Sequence, residues 1–149
     1  LKDERVNSHN NTPIIFAHRG IANQYIENSL QSFLYADSLG FDAIELDISL
    51  TKDNKLIVFH DYNCKRLIGI DKNINELNWA DIKDKYLNFN GKKTTNKILT
   101  LEEVFKIFGS SMLFYLDIKN ANRIIANGIT KLIEKYNLET QIKSNTRRL

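Results

Sequence analysis

The chain has 149 residues, 42% of them hydrophobic, with one Trp, six Tyr and eight Phe. This composition suffices for one domain with its own core and excludes a disordered chain. The net charge of +3 is too small to indicate a nucleic-acid partner, and the single cysteine, Cys64, excludes an intrachain disulfide. No stretch approaches the roughly 20 apolar residues that span a bilayer. The chain begins with Leu1, from which we expect that an upstream segment was removed, so the cellular compartment stays open.

The N-terminal part of the chain predicts a tail, a strand and a helix. Residues 1–13 are polar and without pattern, which is typical of a tail or linker, so we place the domain at residues 14–149. Ile14–Ala17 is an apolar run with the length of a buried strand. The segment Asn28–Gln31 predicts the start of a helix, and Gly40 predicts its end.

Two apolar segments in the middle of the chain predict neighbouring strands. In Ala43–Ile48, Glu45 and Asp47 fall on one face because side chains alternate along a strand. Leu56–His60 predicts the next strand. The connection 49–55 is too short for a helix, although an extended connection would permit parallel pairing of the two strands.

The rest of the chain alternates between helices and strands around one polar segment. In chain order we predict a helix from Asn78 to Leu87, a loop over Asn88–Lys97, a helix capped by Thr100 and Glu103, a strand over Met112–Ile118, a helix from Ile125 to Tyr136, and a strand over Gln141–Ser144. Such alternation is typical of βα units with a mainly parallel sheet. The carboxyl ends of its strands then share one edge, where α/β proteins build their sites.

Three acids belong to this edge of the predicted sheet. Glu45, Asp47 and Asp117 offer only oxygen ligands, which favour Mg²⁺ or Ca²⁺ over zinc. Any one of them is explained equally well as a solvated residue at a strand end. An acidic pair inside an apolar strand is harder to explain that way, because burying unpaired carboxylates is costly. We therefore predict a site for one divalent metal ion.

Two histidines and two cations belong to the same edge. His18 and His60 end apolar strands, and their ordinary pKa near neutrality suits a general base and a general acid. A lone histidine there is more often a hydrogen-bonded structural residue, so the pairing with the acids carries the prediction. Arg19 and Lys119 are cations that bind phosphate oxygens well, and salt bridges to the same acids are the alternative.

At this point the motifs resemble a known family in their order and spacing. The matching segments are His18-Arg19-Gly20, Glu27-Asn28-Ser29, Glu45-Leu46-Asp47, Thr51-Lys52-Asp53, His60-Asp61, Arg66, Leu77–Lys83, Thr100–Glu103 and Leu116–Lys119. Together they resemble the N-terminal portion of the glycerophosphodiester phosphodiesterase domain, from about residue 14 to about residue 145. The resemblance implies an α/β fold: a TIM-type (β/α) barrel without the helix between its second and third strands, here with about its first five strands.

The resemblance also implies the chemistry. Members of the family use a divalent metal ion to hydrolyse glycerophosphodiesters, such as glycerophosphocholine, to glycerol 3-phosphate and an alcohol in lipid and glycerol metabolism. By position, the metal ligands match Glu45, Asp47 and Asp117, the acid/base pair matches His18 and His60, and the phosphate contacts match Arg19 and Lys119. Asp117 departs from the family, which usually has Glu there; Ile26 and Ser29 replace its usual Pro and Thr.

Two other functions stay open. A phospholipase D-like enzyme acting on lysolipids or sphingomyelin would share the barrel and the histidine pair. The length of 149 residues, against about 250 for a full barrel, indicates either a piece of a longer protein or a truncated, non-catalytic module that binds phosphate esters or a partner chain. The exposed strand edges of a half barrel would then predict self-association.

Overall fold

The computed structural model describes residues 13–146, so the predicted polar tail lies outside the described residues except for Pro13. In chain order, the elements are β1 (Phe16–His18), α1 (Leu30–Ser38), β2 (Ala43–Leu50), β3 (Leu56–Val58), α2 (Lys65–Ile68), a 3-10 turn (Ile74–Glu76), α3 (Trp79–Ile82), β4 (Tyr86–Phe89), β5 (Lys92–Lys97), β6 (Leu99–Thr100), α4 (Leu101–Phe108), β7 (Leu113–Ile118), α5 (Arg123–Tyr136) and β8 (Ile142–Ser144). The predicted alternation of strands and helices is confirmed, including the missing helix between β2 and β3. Within the described part of the chain, no helix is long and apolar enough to cross a membrane.

Strand β2 is the centre of the main sheet. It pairs in parallel with β1 and with β7, and β7 pairs in parallel with β8. This sheet and the helices α1, α4 and α5 make up an α/β fold that is part of a barrel. The register places His18 opposite Glu45 and Asp47 opposite Asp117, so the backbone alone brings these four residues together.

The connection between β2 and β3 is a tight turn, and the two strands are antiparallel. Ile48 pairs with Val58 and Leu50 with Leu56. The Thr51 hydroxyl closes the turn by accepting a hydrogen bond from the Lys55 N–H at 2.9 Å. The expectation that every strand ends at the same edge is therefore wrong for β3, because parallel pairing needs a crossover of a dozen or more residues. Strand β3 instead runs back towards the acids.

The hydrophobic core is divided into two clusters. The first packs the aliphatic face of β2 against the helices and contains Phe33 of α1, Phe105 of α4 and Ile129 of α5. The second lies under α2, α3 and the β4–β5 segment and contains Phe59 and Leu87. In the first cluster, the predicted capping box begins α4: the Thr100 hydroxyl accepts from the Glu103 N–H at 3.1 Å, and the Glu103 carboxylate accepts from the Thr100 N–H at 2.7 Å.

The segment Asn88–Lys97, predicted as a loop, forms most of a β-hairpin, and the predicted helix before it ends at Ile82. Strands β4 and β5 meet at Asn90 and Gly91, whose φ angles are +51° and +75°. Asn-Gly is the dipeptide that most readily adopts two successive positive φ angles. The signal for this hairpin was therefore present in the sequence, between two short strands of which the second is too polar to show a pattern.

Candidate active site

Three carboxylates meet between β2 and β7, and we call Glu45, Asp47 and Asp117 the acidic trio. Glu45 and Asp47 extend from the same face of β2, and Asp117 is the register partner of Asp47. One oxygen of each carboxylate lies within 4.8 Å of the other two. Two oxygens bound to the same Mg²⁺ or Ca²⁺ are about 3–5 Å apart, so this spacing fits one shared cation.

The charge within the acidic trio is not fully compensated. Asp47 is 0% exposed, and among the described residues its Oδ1 has only the Lys119 ammonium, at 3.1 Å, as a partner. Burial, followed by the charge of Asp47, raises the pKa of Glu45 above its ordinary value. Because buried carboxylates need a compensating charge, the donor set fits a divalent cation.

Arg19 and Lys119, the two predicted phosphate contacts, both reach the acidic trio. Arg19 Nε lies 2.9 Å from Asp47 Oδ2, and Lys119 Nζ lies 3.1 Å from Asp47 Oδ1 and 2.5 Å from Asp117 Oδ2. Burial alone would lower the pKa of Lys119, but its hydrogen bonds to Asp117 and Asp47 outweigh that effect, and the pKa is raised. The structure thus shows the salt bridges that the sequence offered as the alternative.

His18 lies at the rim of the acidic trio. It ends β1 opposite Glu45, and its Nε2 is 3.5 Å from Glu45 Oε2. Its side chain is 70% exposed, whereas that of Glu45 is 16% exposed. A ligand bound at the trio can therefore contact the imidazole without displacing any core residue.

Asn28 forms hydrogen bonds with Asp47 of the acidic trio, whereas its place in the sequence predicts only the start of a helix. Its side-chain amide donates to Asp47 Oδ2 at 2.9 Å, and its Oδ1 accepts from the Asp47 N–H at 3.4 Å. Its φ of +53° places it outside α1, whose cap is Ser29. Asparagine adopts this left-handed conformation more readily than most residues, which explains its position in the Glu27-Asn28-Ser29 segment.

Asn145 plays a comparable part for Asp117. Its Nδ2 donates to Asp117 Oδ1 at 2.6 Å, and its Oδ1 accepts from the Ile118 N–H at 2.9 Å. The second bond determines which end of the amide faces the carboxylate. No sequence pattern predicts this contact, because Asn145 follows β8 and is 28 residues away from Asp117 along the chain.

His60 is held by a separate group, the Arg66 cluster, which consists of Glu27, His60, Asp61 and Arg66. His60 Nδ1 lies 2.8 Å from Asp61 Oδ1. Arg66 donates to both oxygens of Asp61, at 2.7 and 2.8 Å, and to both oxygens of Glu27, each at 3.0 Å. The hydrogen bond from Arg66 is the main reason why the pKa of Asp61 is lowered. The guanidinium thus fills the space that a cation would need between the two carboxylates.

Glu27 joins the two groups, because its Oε1 also lies 3.3 Å from Arg19 Nη1. Beside them opens a cleft of about 1010 Å³, whose wall includes His60, Asp117 and Lys119 from the candidate site. His18, Glu45 and Asp47 do not line this cleft. The sequence marked Glu27, Asp61 and Arg66 as motif residues without a role; their fork-shaped pairing becomes visible only in the fold.

The chain is similar in sequence to members of a known family. The model of the "Glycerophosphoryl diester phosphodiesterase family" matches residues 18–146. The human protein named lysophospholipase D GDPD1 is 32% identical over 133 residues, covering 83% of this chain and 41% of the relative. A glycerophosphodiester phosphodiesterase of Caldanaerobacter subterraneus subsp. tengcongensis is 33% identical over 135 residues, covering 87% and 56%. The chain thus spans about half the length of these curated relatives.

A solved structure shows the same fold. A phosphodiesterase of Oleispira antarctica, in complex with the product sn-glycerol-3-phosphate, superposes with a TM-score of 0.80 at 23% identity. The match covers 91% of this chain and 59% of that one. The prediction of a partial TIM-type barrel is confirmed.

Proposed function

Because the chain belongs to the glycerophosphoryl diester phosphodiesterase family, we propose that it is part of an enzyme that hydrolyses glycerophosphodiesters to glycerol 3-phosphate and an alcohol. The observation that carries the proposal is the acidic trio with the exposed His18 at its rim. The name of the Caldanaerobacter relative and the product bound to the Oleispira enzyme support this substrate class.

Glu45, Asp47 and Asp117 would each contribute one oxygen to a divalent cation, Mg²⁺ or Ca²⁺. When bound, such an ion supplies charge neutralisation at the phosphate and orients the attacking oxygen. Asp117 is one methylene shorter than the usual Glu, and Asn145 holds its carboxylate towards the other two acids.

We assign His18 and His60 to proton transfer. The Asp61 carboxylate can only accept a hydrogen bond, so His60 carries its proton on Nδ1 and exchanges a proton with the substrate at Nε2. His18 is accessible on the other side of Glu45. Arg19 and Lys119 retain further N–H groups that can donate to phosphate oxygens once a ligand is present.

The test is release of glycerol 3-phosphate from glycerophosphocholine in the presence of Mg²⁺, Ca²⁺ or chelator. We expect release that depends on the metal and falls about 10²–10⁴-fold in His18→Ala and in His60→Ala. His9→Ala, which changes the one histidine without a proposed role, is the matched control. Full activity in either site variant would refute the role assigned to that histidine.

A second candidate is hydrolysis of lysolipids in the manner of a phospholipase D. The human relative carries that name, and Tyr62 and Ile124, both more than half exposed, give the cleft an apolar flank that could contact an acyl chain. Choline release from lysophosphatidylcholine, compared with glycerophosphocholine, distinguishes the two. A faster reaction with the lysolipid would favour this candidate; a faster reaction with the deacylated diester would favour the first.

A third candidate is a non-catalytic module that binds phosphate esters or a partner chain. Arg19 and Lys119, cations that can bind a phosphate ester without cleaving it, motivate it. Metal binding by calorimetry without turnover on any diester would favour it. Light scattering on the same sample tests self-association, which stays a prediction.

A further inference from the structure

Residues 83–97, which we call the basic hairpin, concentrate positive charge. Five lysines and one aspartate give this segment a net charge of +4, within a chain whose total is +3. The lysines are Lys83, Lys85, Lys92, Lys93 and Lys97, and all are exposed. Among the described residues only Lys97 has an ion-pair partner, Asp84 at 3.1 Å. The other four lysines therefore face solvent without an ion pair to any residue of 13–146.

The hairpin has two different faces. Leu87 is buried in the second core cluster, and Phe89 packs against that cluster. The strand register places Tyr86 beside Lys97 and Asn88 beside Lys93 on the other face, whereas Lys92 lies opposite Phe89 next to the turn, where it is still exposed. One face anchors the hairpin to the protein, the other presents Lys93 and Lys97, and Lys92 is exposed at the turn.

The basic hairpin lies at the same end of the fold as the acidic trio. The Gln31 N–H, in the first turn of α1, donates to Asn96 Oδ1 at 3.3 Å, and Asn96 Nδ2 donates back to Gln31 Oε1 at 3.1 Å. Helix α1 begins two residues after Asn28, whose side-chain amide donates to Asp47. The two features thus share the end of the barrel at which α1 begins.

We propose that the basic hairpin docks this end of the protein onto an anionic phospholipid surface. Lysine clusters are attracted to such surfaces, and a tyrosine among them suits the headgroup level. Single-stranded nucleic acid fits less well, because it needs free aromatic faces on which bases stack. The Tyr86 ring already has Lys97 Nζ over it at 5.5 Å, and Phe89 is partly buried.

Co-sedimentation with vesicles of mixed phosphatidylcholine and phosphatidylglycerol, and of phosphatidylcholine alone, tests the proposal. Each lysine near an anionic surface strengthens binding about fivefold. We expect binding to mixed vesicles only, weakened by salt, and about 30-fold weaker in the variant K92Q/K93Q. The control K106Q/K131Q removes two exposed lysines of α4 and α5, the same amount of charge, and should stay within about twofold of the parent chain.

If both variants lost the same amount of vesicle binding, binding would depend only on net charge and the proposal would be overturned. No binding to mixed vesicles would also overturn it, and would assign the lysines to protecting a strand edge from pairing. Tighter binding to oligouridine than to vesicles would make the surface a nucleic-acid site instead. Hydrolysis of soluble glycerophosphocholine should be unchanged in K92Q/K93Q, so this proposal and the proposed function can fail separately.

Discussion

The acidic trio and the Arg66 cluster both bring Glu and Asp carboxylates together but differ in how those carboxylates are paired. In the Arg66 cluster, one guanidinium pairs with both carboxylates and lowers the pKa of Asp61. In the trio, Arg19 and Lys119 pair with Asp47 and Asp117 but, among the described residues, neither side chain pairs with Glu45, and burial raises the pKa of Glu45. A cluster whose carboxylates are all paired with a cation positions a neighbouring residue. A cluster in which one carboxylate lacks an Arg or Lys partner is suited to bind a further cation.

The largest effect that would test this contrast is expected from Glu45→Gln. The change removes one carboxylate of the trio while keeping its size. We expect activity to fall at least about 100-fold and the metal-induced rise in Tm to disappear, because one ligand charge is lost. In chelator, however, Tm should rise, because Glu45 is disfavoured in its charged form.

Differential scanning fluorimetry with Mg²⁺, Ca²⁺ and chelator measures both effects. Glu139→Gln, at an exposed acid outside the trio, is the control. A lower Tm of Glu45→Gln in chelator would show that the trio is already balanced by Arg19 and Lys119.

The next effect is expected from Arg66→Met, which opens the complete cluster. Without the guanidinium, Asp61 and Glu27 repel each other and His60 loses its fixed orientation. We expect activity to fall about 10–100-fold, as for other residues that orient a functional side chain. The metal-induced rise in Tm should be unchanged; if it fell with the activity, the two groups would act as one unit through Glu27 and Arg19.

Lowering the pH should change the stability contributed by the two groups in opposite directions. The lowered pKa of Asp61 stabilises the fold above the ordinary value of 3.8, and this stability is lost as the pH falls through the lower folded value. The raised pKa of Glu45 acts in the opposite direction, because protonation in the fold relieves its burial.

Tm measured from pH 7 to pH 3 in chelator checks both signs. Arg66→Met should have a lower Tm than the parent chain at pH 7, and this difference in Tm should become smaller below about pH 4. The advantage of Glu45→Gln should likewise narrow as Glu45 becomes protonated. If the difference in Tm between either variant and the parent chain did not change with pH, the shifted pKa of Asp61 or Glu45 would not be its cause.

The smallest effect is expected from Asn145→Ala. Asp117 would keep Lys119 but lose the amide that orients its second oxygen. We expect metal affinity to fall about tenfold in calorimetry. Asn127→Ala, at an exposed asparagine of α5, is the control. Unchanged affinity would mean that Lys119 alone orients the carboxylate.

Where apolar residues recur with a clear period, the elements could be predicted from the sequence. The capping box at Thr100 and the alternation in β2 were sufficient because each reports a local hydrogen bond or a buried face. The segment Asn88–Lys97 failed because only Phe89 within it, and Leu87 just before it, pack against the core. Its strands depend on the Asn90-Gly91 turn and on the second core cluster.

The same distinction holds for the candidate site. The acidic trio follows from alternation in β2 and from parallel register, which a sequence pattern can anticipate. Asn28, Arg66 and Asn145 contact partners 19, 39 and 28 residues away, through loops that no periodic pattern describes. These residues are visible only once the chain has folded.

The return of β3 along β2 limits how this part of the chain can evolve. One β-hairpin carries Glu45 and Asp47 outward and brings His60 back, with the Phe59 N–H donating to the Asp47 carbonyl at 3.0 Å. Side chains alternate along a strand, so a single inserted residue in the turn over 51–55 would turn every side chain of β3 to the opposite face. Insertions elsewhere on the surface change only loop length, but here the number of residues in the turn sets the spacing between His60 and the carboxylates of Glu45 and Asp47. We therefore expect natural and engineered variants to keep the length of this turn, while its residues can vary.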